Sequence, residues 1–139
     1  MTTAFRRAVL ADTSVLYALV DPRDQNSARA RRDVQQLSGE RYRVLVAYAT
    51  LQEAHALVLH RLRPAAALRW LREVQRGTDL LNVPATDYAA AIKLTERYGD
   101  QTITLHDLTL NVVSKTLGVP VWTFDADFDV MGAAVWRGS

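Results

Sequence analysis

Val9-Leu10-Ala11-Asp12-Thr13-Ser14-Val15-Leu16-Tyr17-Ala18-Leu19 is the stretch whose reading decides the fold. A short apolar run stops at a carboxylate, two hydroxyls follow, and Val15, Leu16 and Leu19 then recur at helical spacing. The pattern predicts a buried strand that carries Asp12 to its C-terminal tip, with Thr13 and Ser14 opening a helix. Ligands of open α/β sheets bind beyond the carboxyl ends of the strands, so chemistry would sit at that tip. The competing reading makes Asp12 only the cap of the helix, a position aspartate favours.

Working outward, a turn at 21–25 leads to an amphipathic helix over 27–37 with Ala28, Val34 and Leu37 on its apolar side. Residues 43–47, rich in branched side chains, read as a second strand. Thr50 is the expected start of a strong helix, with Leu51, Ala54, Val58 and Leu62 as one stripe and Glu53, Ala56, Leu57 and His60 as another face. Pro64 opens a further helix with Leu68, Leu71 and Val74 on its core side, ending at Gly77. Its weak core signature leaves room for a protruding arm over 63–77. A third strand covers 80–84. Thr86 and Asp87 then open a helix with Tyr88, Ile92, Thr95 and Tyr98 inward, closed by Gly99. Residues 102–105 are ambiguous, with Thr104 placed as a cap. The helix after it carries Leu108, Leu110, Val112, Val113 and Leu117 and ends at Gly118, a surface wide enough to be buried on more than one side. A fourth strand over 119–124 again ends on a carboxylate, Asp125; the tail from 128 reads as an edge strand or a loose turn. Strands alternating with helices predict a three-layer α/β/α sandwich with a mainly parallel central sheet.

Length and composition set the limits. With 139 residues the chain suits one domain, 1–139, with a sizeable core. Cysteine is absent, which excludes disulfides and thiolate metal sites. Arg6 and Arg7 precede an apolar run as in a leader peptide, but Asp12 interrupts that run and no cleavage site follows. No apolar stretch approaches the roughly 20 residues that span a bilayer. A soluble, cytoplasmic protein without a membrane partner is the expectation. The net charge of +2 decides little, although nearly all of the basic side is arginine, with Lys93 and Lys115 as the only lysines.

Four carboxylates stand at element boundaries or on buried faces: Asp12, Glu53, Asp107 and Asp125. They lie far apart in the chain, so only the fold can unite them. Thr50 with Glu53, and Thr104 with Asp107, have the spacing of capping boxes, and acids in a first turn suit the helix dipole. Taken one at a time, capping explains each; taken together, two strands that end in aspartate and two acidic helix starts point to one pocket. Packed carboxylates repel and raise one another's pKa, a problem a divalent cation removes. Mg²⁺ and Mn²⁺ prefer carboxylate and water oxygens, and such ions polarise a phosphodiester, activate water and stabilise the leaving oxygen.

Ala11-Asp12-Thr13-Ser14-Val15-Leu16, Leu51-Gln52-Glu53-Ala54, Thr104-Leu105-His106-Asp107 and Thr123-Phe124-Asp125-Ala126-Asp127-Phe128 together resemble the PIN-domain nucleases. The chain is especially similar to the VapC ribonuclease toxins of VapBC toxin–antitoxin systems, over 9–128 and in the family's order. The resemblance implies Mg²⁺- or Mn²⁺-dependent cleavage of RNA, a homodimer, and inhibition by a small cognate antitoxin protein. It implies Asp12 and Asp107 as the principal metal ligands, with Glu53 and Asp125 completing the catalytic acids. Ser14 and Thr123 would orient carboxylates, and Asp127 would assist or replace Asp125. Two departures bear on substrate choice: Asn26 and Ser27 stand where relatives often carry a histidine, and His106 is a less usual neighbour of Asp107.

The alternatives are a housekeeping PIN nuclease acting on RNA or DNA, a Mg²⁺-dependent phosphatase, and a non-cleaving RNA- or protein-binding module. Aspartyl-phosphate phosphatases want a second aspartate two residues after the first, where this chain has Ser14. His55 and His60, five apart on one helix, lack metal spacing. Trp70, Trp122 and Trp136 read as core or dimer residues, with Trp70 on the arm able to face a partner. Arg61, Arg63, Arg69, Arg72 and Arg76 form a solvated face that could track RNA phosphates.

Overall fold

The computed structural model describes residues 7–139; Arg6, half of the basic pair weighed as a leader, lies outside the described residues. In chain order the elements are β1 (Ala8–Ala11), α1 (Thr13–Ala18), α2 (Ser27–Gly39), β2 (Arg43–Ala47), α3 (Tyr48–Arg61), α4 (Pro64–Gly77), β3 (Asp79–Leu81), α5 (Ala85–Leu94), α6 (Leu105–Leu117), β4 (Val121–Trp122), α7 (Asp127–Val130) and β5 (Val135–Trp136). The strands form one parallel sheet in the order β3-β2-β1-β4-β5. Among the described residues no helix is long and apolar enough to cross a membrane.

β1 is the central strand, and its four residues are buried on both faces, as a parallel sheet between helical layers requires. Side chains alternate across a strand. Val9 and Ala11 therefore join the core that Leu16, Leu37, Val58 and Trp70 build from α1–α4, together with Trp122. Ala8 and Leu10 join the opposite core with Leu108, Leu110, Val113 and Phe128 from α6 and α7. The order of strands reverses at β1: β2 and β3 extend to one side, β4 and β5 to the other. The crevice beyond the carboxyl ends of β1 and β4 is thus the topological switch point, where such sheets bind ligands.

α2 is tied to the sheet by a buried carboxylate, Asp33, whose Oδ2 accepts from Trp122 Nε1 at 3.0 Å. Removing the acceptor strands an indole N–H in the core. Asp33→Ala is expected to lower the unfolding free energy by about 1–3 kcal/mol, read as a lower urea midpoint.

Several expectations need correction. α3 starts at Tyr48 directly out of β2, with no loop between them, so Thr50 is inside the helix rather than its cap. Residues 63–77 are not an arm: Ala66, Ala67, Trp70 and Val74 are buried, which makes α4 a core helix, while Leu68 is 51% exposed. α5 ends at Leu94 and turns Ala91 inward, leaving Tyr88 and Ile92 exposed, because α5 packs along α6 on a different side from the one the apolar spacing suggested. Likewise α2 buries Ala30 and Leu37 and exposes Ala28 and Val34. The fourth strand shrinks to Val121–Trp122, and the tail holds both a short helix and a parallel edge strand.

Candidate functional site

Four elements deliver the carboxylates. The Asp12 N–H still donates to Trp122 O on β4 at 3.0 Å, so the sheet itself fixes this residue. Asp12 occupies the N-cap position of α1, yet its side chain makes no capping bond. Its Oδ2 instead accepts from Thr123 Oγ1 at 2.8 Å and Ser14 Oγ at 2.9 Å. The cap reading therefore fails for this carboxylate. The same two hydroxyls also organise the far wall. Ser14 Oγ accepts from the Phe124 N–H (3.1 Å), and Thr123 Oγ1 accepts from the Asp125 N–H (2.9 Å). Asp125 Oδ1 then accepts from the Asp127 N–H at 2.9 Å, which folds Asp127 back beside it.

From the helices come Glu53, Asp107 and His106. Glu53 lies in the second turn of α3, not the first, and its Oε1 accepts from Thr13 Oγ1 at 2.8 Å. At the start of α6, Thr104 Oγ1 accepts from the Asp107 N–H at 3.1 Å, the predicted cap. Thr50 has a different task from the expected capping: its hydroxyl lies 2.8 Å from His106 Nε2. That contact aims His106 Nδ1 at the acids, 3.5 Å from Glu53 Oε1 and 3.7 Å from Asp107 Oδ1. Nδ1 is buried and has no hydrogen-bond partner.

One ligand atom each of Asp12, His106 and Asp107 lie within 4.8 Å of one another, and so do one each of Asp107, Asp125 and Asp127. Asp107 belongs to both sets. Of the four acids singled out in the sequence, Asp12, Asp107 and Asp125 thus converge, and Glu53 joins them through Thr13 and His106. His106, Thr13 and Thr50 were not read as site residues. Each is the chain neighbour, or the helical neighbour three residues away, of a chosen acid, but adjacency alone does not mark a site residue, and the Thr50–His106 contact joins residues 56 apart in the chain.

Electrostatics match this crowding. Burial pushes the Asp12 carboxyl above its ordinary value, and the Asp107 charge adds to it, while the Thr123 and Ser14 hydrogen bonds and His106 pull the other way. Burial, then Asp125 and Asp107, raise Asp127 as well. For His106, burial alone would favour the neutral ring; Asp107, Glu53 and Asp12 together overcome it and raise the pKa. Among the described residues no lysine or arginine lies within ion-pair range of Asp12, Asp107, Asp125 or Asp127. Clustered oxygens without a fixed cation, with a buried nitrogen facing them, suit a divalent metal ion. The other two histidines lie elsewhere, His55 against Trp70 and His60 exposed.

A doubly wound parallel sheet that gathers carboxylates at its switch point defines the class of acid-pocket α/β domains. Residues 9–134 match the family described as PIN domain, and the chain belongs to that family. No curated protein matches it in sequence. Among solved structures it is similar to VapC20 of Mycobacterium tuberculosis, described as a sarcin-ricin loop cleaving toxin. The TM-score is 0.81 at 22% identity, over 94% of this chain and 99% of that one. VapBC2 from Rickettsia felis, bound to a DNA fragment from its promoter, gives 0.72 at 11% identity over 92% and 96%. A toxin–antitoxin complex from Klebsiella pneumoniae gives 0.67 at 17% identity over 94% and 99%. At these identities the likeness is one of fold.

Proposed function

We propose that this PIN-domain chain is a Mg²⁺- or Mn²⁺-dependent endoribonuclease, the toxin of a VapBC-like pair, cytoplasmic, homodimeric and restrained by a small antitoxin. The convergence of Asp12, Asp107, Asp125 and Asp127 at the switch point, with no lysine or arginine of the described residues paired to them, carries the reading. The described roles of VapC20 and the Klebsiella complex support the choice of RNA as substrate and of an antitoxin as partner.

In this reading Asp12 and Asp107 are the main ligands and Asp125 and Asp127 line the opposite side. A bound divalent cation supplies the Lewis acidity that polarises a phosphodiester and acidifies water. Asp12 commits Oδ2 to two hydroxyls, so its orientation is set before any ligand arrives. Glu53 has one oxygen on Thr13, and its side chain is 45% exposed. Its other oxygen can take a proton from the attacking water as the water oxygen bonds to phosphorus and the sugar oxygen leaves.

The test is cleavage of end-labelled RNA, single-stranded DNA and a phosphomonoester, each with Mg²⁺, Mn²⁺ or EDTA. RNA alone should be cut, and only with metal. Tight RNA binding without metal-stimulated turnover would instead support the binding-module reading. Expression should arrest growth, and co-expression of the protein encoded beside it should relieve the arrest. Thr13→Val keeps the shape but removes the donor to Glu53. It is expected to lower kcat about tenfold with KM little changed, because Thr13 acts through Glu53.

A further inference from the structure

Outside the acid cluster but sharing Asp125 with it is a notch of about 170 Å³, lined by Arg29, Thr123, Phe124, Asp125, Ala126, Asp129 and Arg137. That is room for several waters' worth of ligand, at about 30 Å³ for each water. We propose that this notch, with the Arg29 guanidinium over the Phe124 ring, binds the phosphate next to the scissile one in a single-stranded nucleic acid. The assignment rests on the nuclease reading above.

Three observations carry it. Phe124 stands between Thr123, which holds Asp12, and Asp125, and its N–H is bonded to Ser14. The ring is therefore fixed to the same backbone as the acids. Arg29 reaches over from α2 and places its guanidinium carbon 4.7 Å from the ring centroid. A cation over an aromatic face is held by the ring, and among the described residues no hydrogen bond or ion pair occupies the Arg29 guanidinium, whose fork of N–H groups suits bidentate phosphate contact. The other cation of the notch is committed: Arg137 Nη2 lies 3.0 Å and 2.8 Å from the two oxygens of Asp129. Among the described residues no carboxylate lies in ion-pair range of Arg29. Arg29 is thus the anion-binding group there, in a notch that Asp125 also lines.

Fluorescence anisotropy of a labelled RNA strand, in EDTA so that nothing is cut, gives the test. A neutral methylphosphonate is placed at each position in turn. The wild type should lose affinity at one phosphate on one side of the cleaved bond, and Arg29→Gln should be indifferent there. Arg29→Gln should also weaken binding on the order of tenfold and lower the salt slope by about 0.7, one contact on a single strand. Arg29→Lys should keep the slope and lose part of the affinity. Arg97→Gln, at a different cavity, should change nothing at that position. Phe124→Leu should weaken binding with the charge intact; since Phe124 also packs on the core, the Arg29 variants decide. The same strand in DNA tests whether the sugar matters.

An unchanged slope in Arg29→Gln with metal-dependent cleavage intact overturns the subsite alone. A lowered slope in a protein that cuts nothing with any metal overturns the nuclease reading and leaves the subsite. No binding to either strand, or Arg29-dependent binding of an acidic peptide in their place, overturns the subsite.

Discussion

Asp12→Asn is expected to abolish RNA cleavage and, in the same protein freed of metal, to raise the melting temperature. The first effect should exceed a hundredfold in kcat, because even partners one shell further from a metal cost about 10–100-fold when removed. The second follows from burial. Asp12 is 3% exposed, and burial followed by the Asp107 charge raises its pKa. The folded state therefore holds the Asp12 proton more tightly than the unfolded chain does. Its stabilising contribution is complete below the ordinary value of 3.8 and is lost as pH rises through the raised value. At neutral pH the ionised carboxylate is a cost. Asparagine removes the charge yet still offers Thr123 and Ser14 an acceptor. A gain on the order of 1 kcal/mol, roughly 4 °C, is expected in EDTA at pH 7.5, shrinking toward pH 4. His106 sharpens the test. Its pKa is raised partly by Asp12, so the variant should also return the imidazole toward its ordinary value, visible in its NMR titration. A variant less stable than wild type at pH 7.5 would mean that His106 and the two hydroxyls already outweigh the burial of Asp12.

What the sequence disclosed, and what it withheld, follows the range of each interaction. The β1–α1 stretch is readable because an apolar run ending in Asp-Thr-Ser is a local pattern, and the same holds for Arg43–Ala47 as a strand and Gly118 as the end of α6, where the structure shows a left-handed φ. Facing was harder. α5 carries Tyr88 and Ile92 at helical spacing, but its burial is set by the α6 surface against which it lies, and that contact is not written in α5. Thr50 and Glu53 have capping-box spacing, yet β2 runs into α3 without a break, so the helix starts earlier and both side chains are released to the site. Asp12, Asp107 and Asp125 could be chosen because each sits at an element boundary. His106 could not: its role depends on Thr50, 56 residues away in the chain. The Arg29–Phe124 contact has the same character, joining α2 to the loop after β4.

Adding Mg²⁺ or Mn²⁺ is expected to raise the melting temperature of the wild type, and Asp107→Asn is expected to lose most of that rise. A ligand that binds only the folded state at about a hundredfold over its Kd stabilises by about 2.7 kcal/mol, a shift well outside the error of a thermal melt. Asp107 is the residue shared by the two sets of ligand atoms, one with Asp12 and His106 and one with Asp125 and Asp127. Replacing it removes an oxygen from both, whereas Asp127→Asn touches only the second and should keep part of the response. The comparison is made as a difference between metal and EDTA for each variant. It is therefore independent of any stability gained from removing a charge, and of whether the protein turns over RNA. Equal responses in wild type and Asp107→Asn would place the cation outside this pocket. A response lost in Asp127→Asn but kept in Asp12→Asn would instead shift the binding centre toward Asp125, away from the oxygen that Thr123 and Ser14 hold in place.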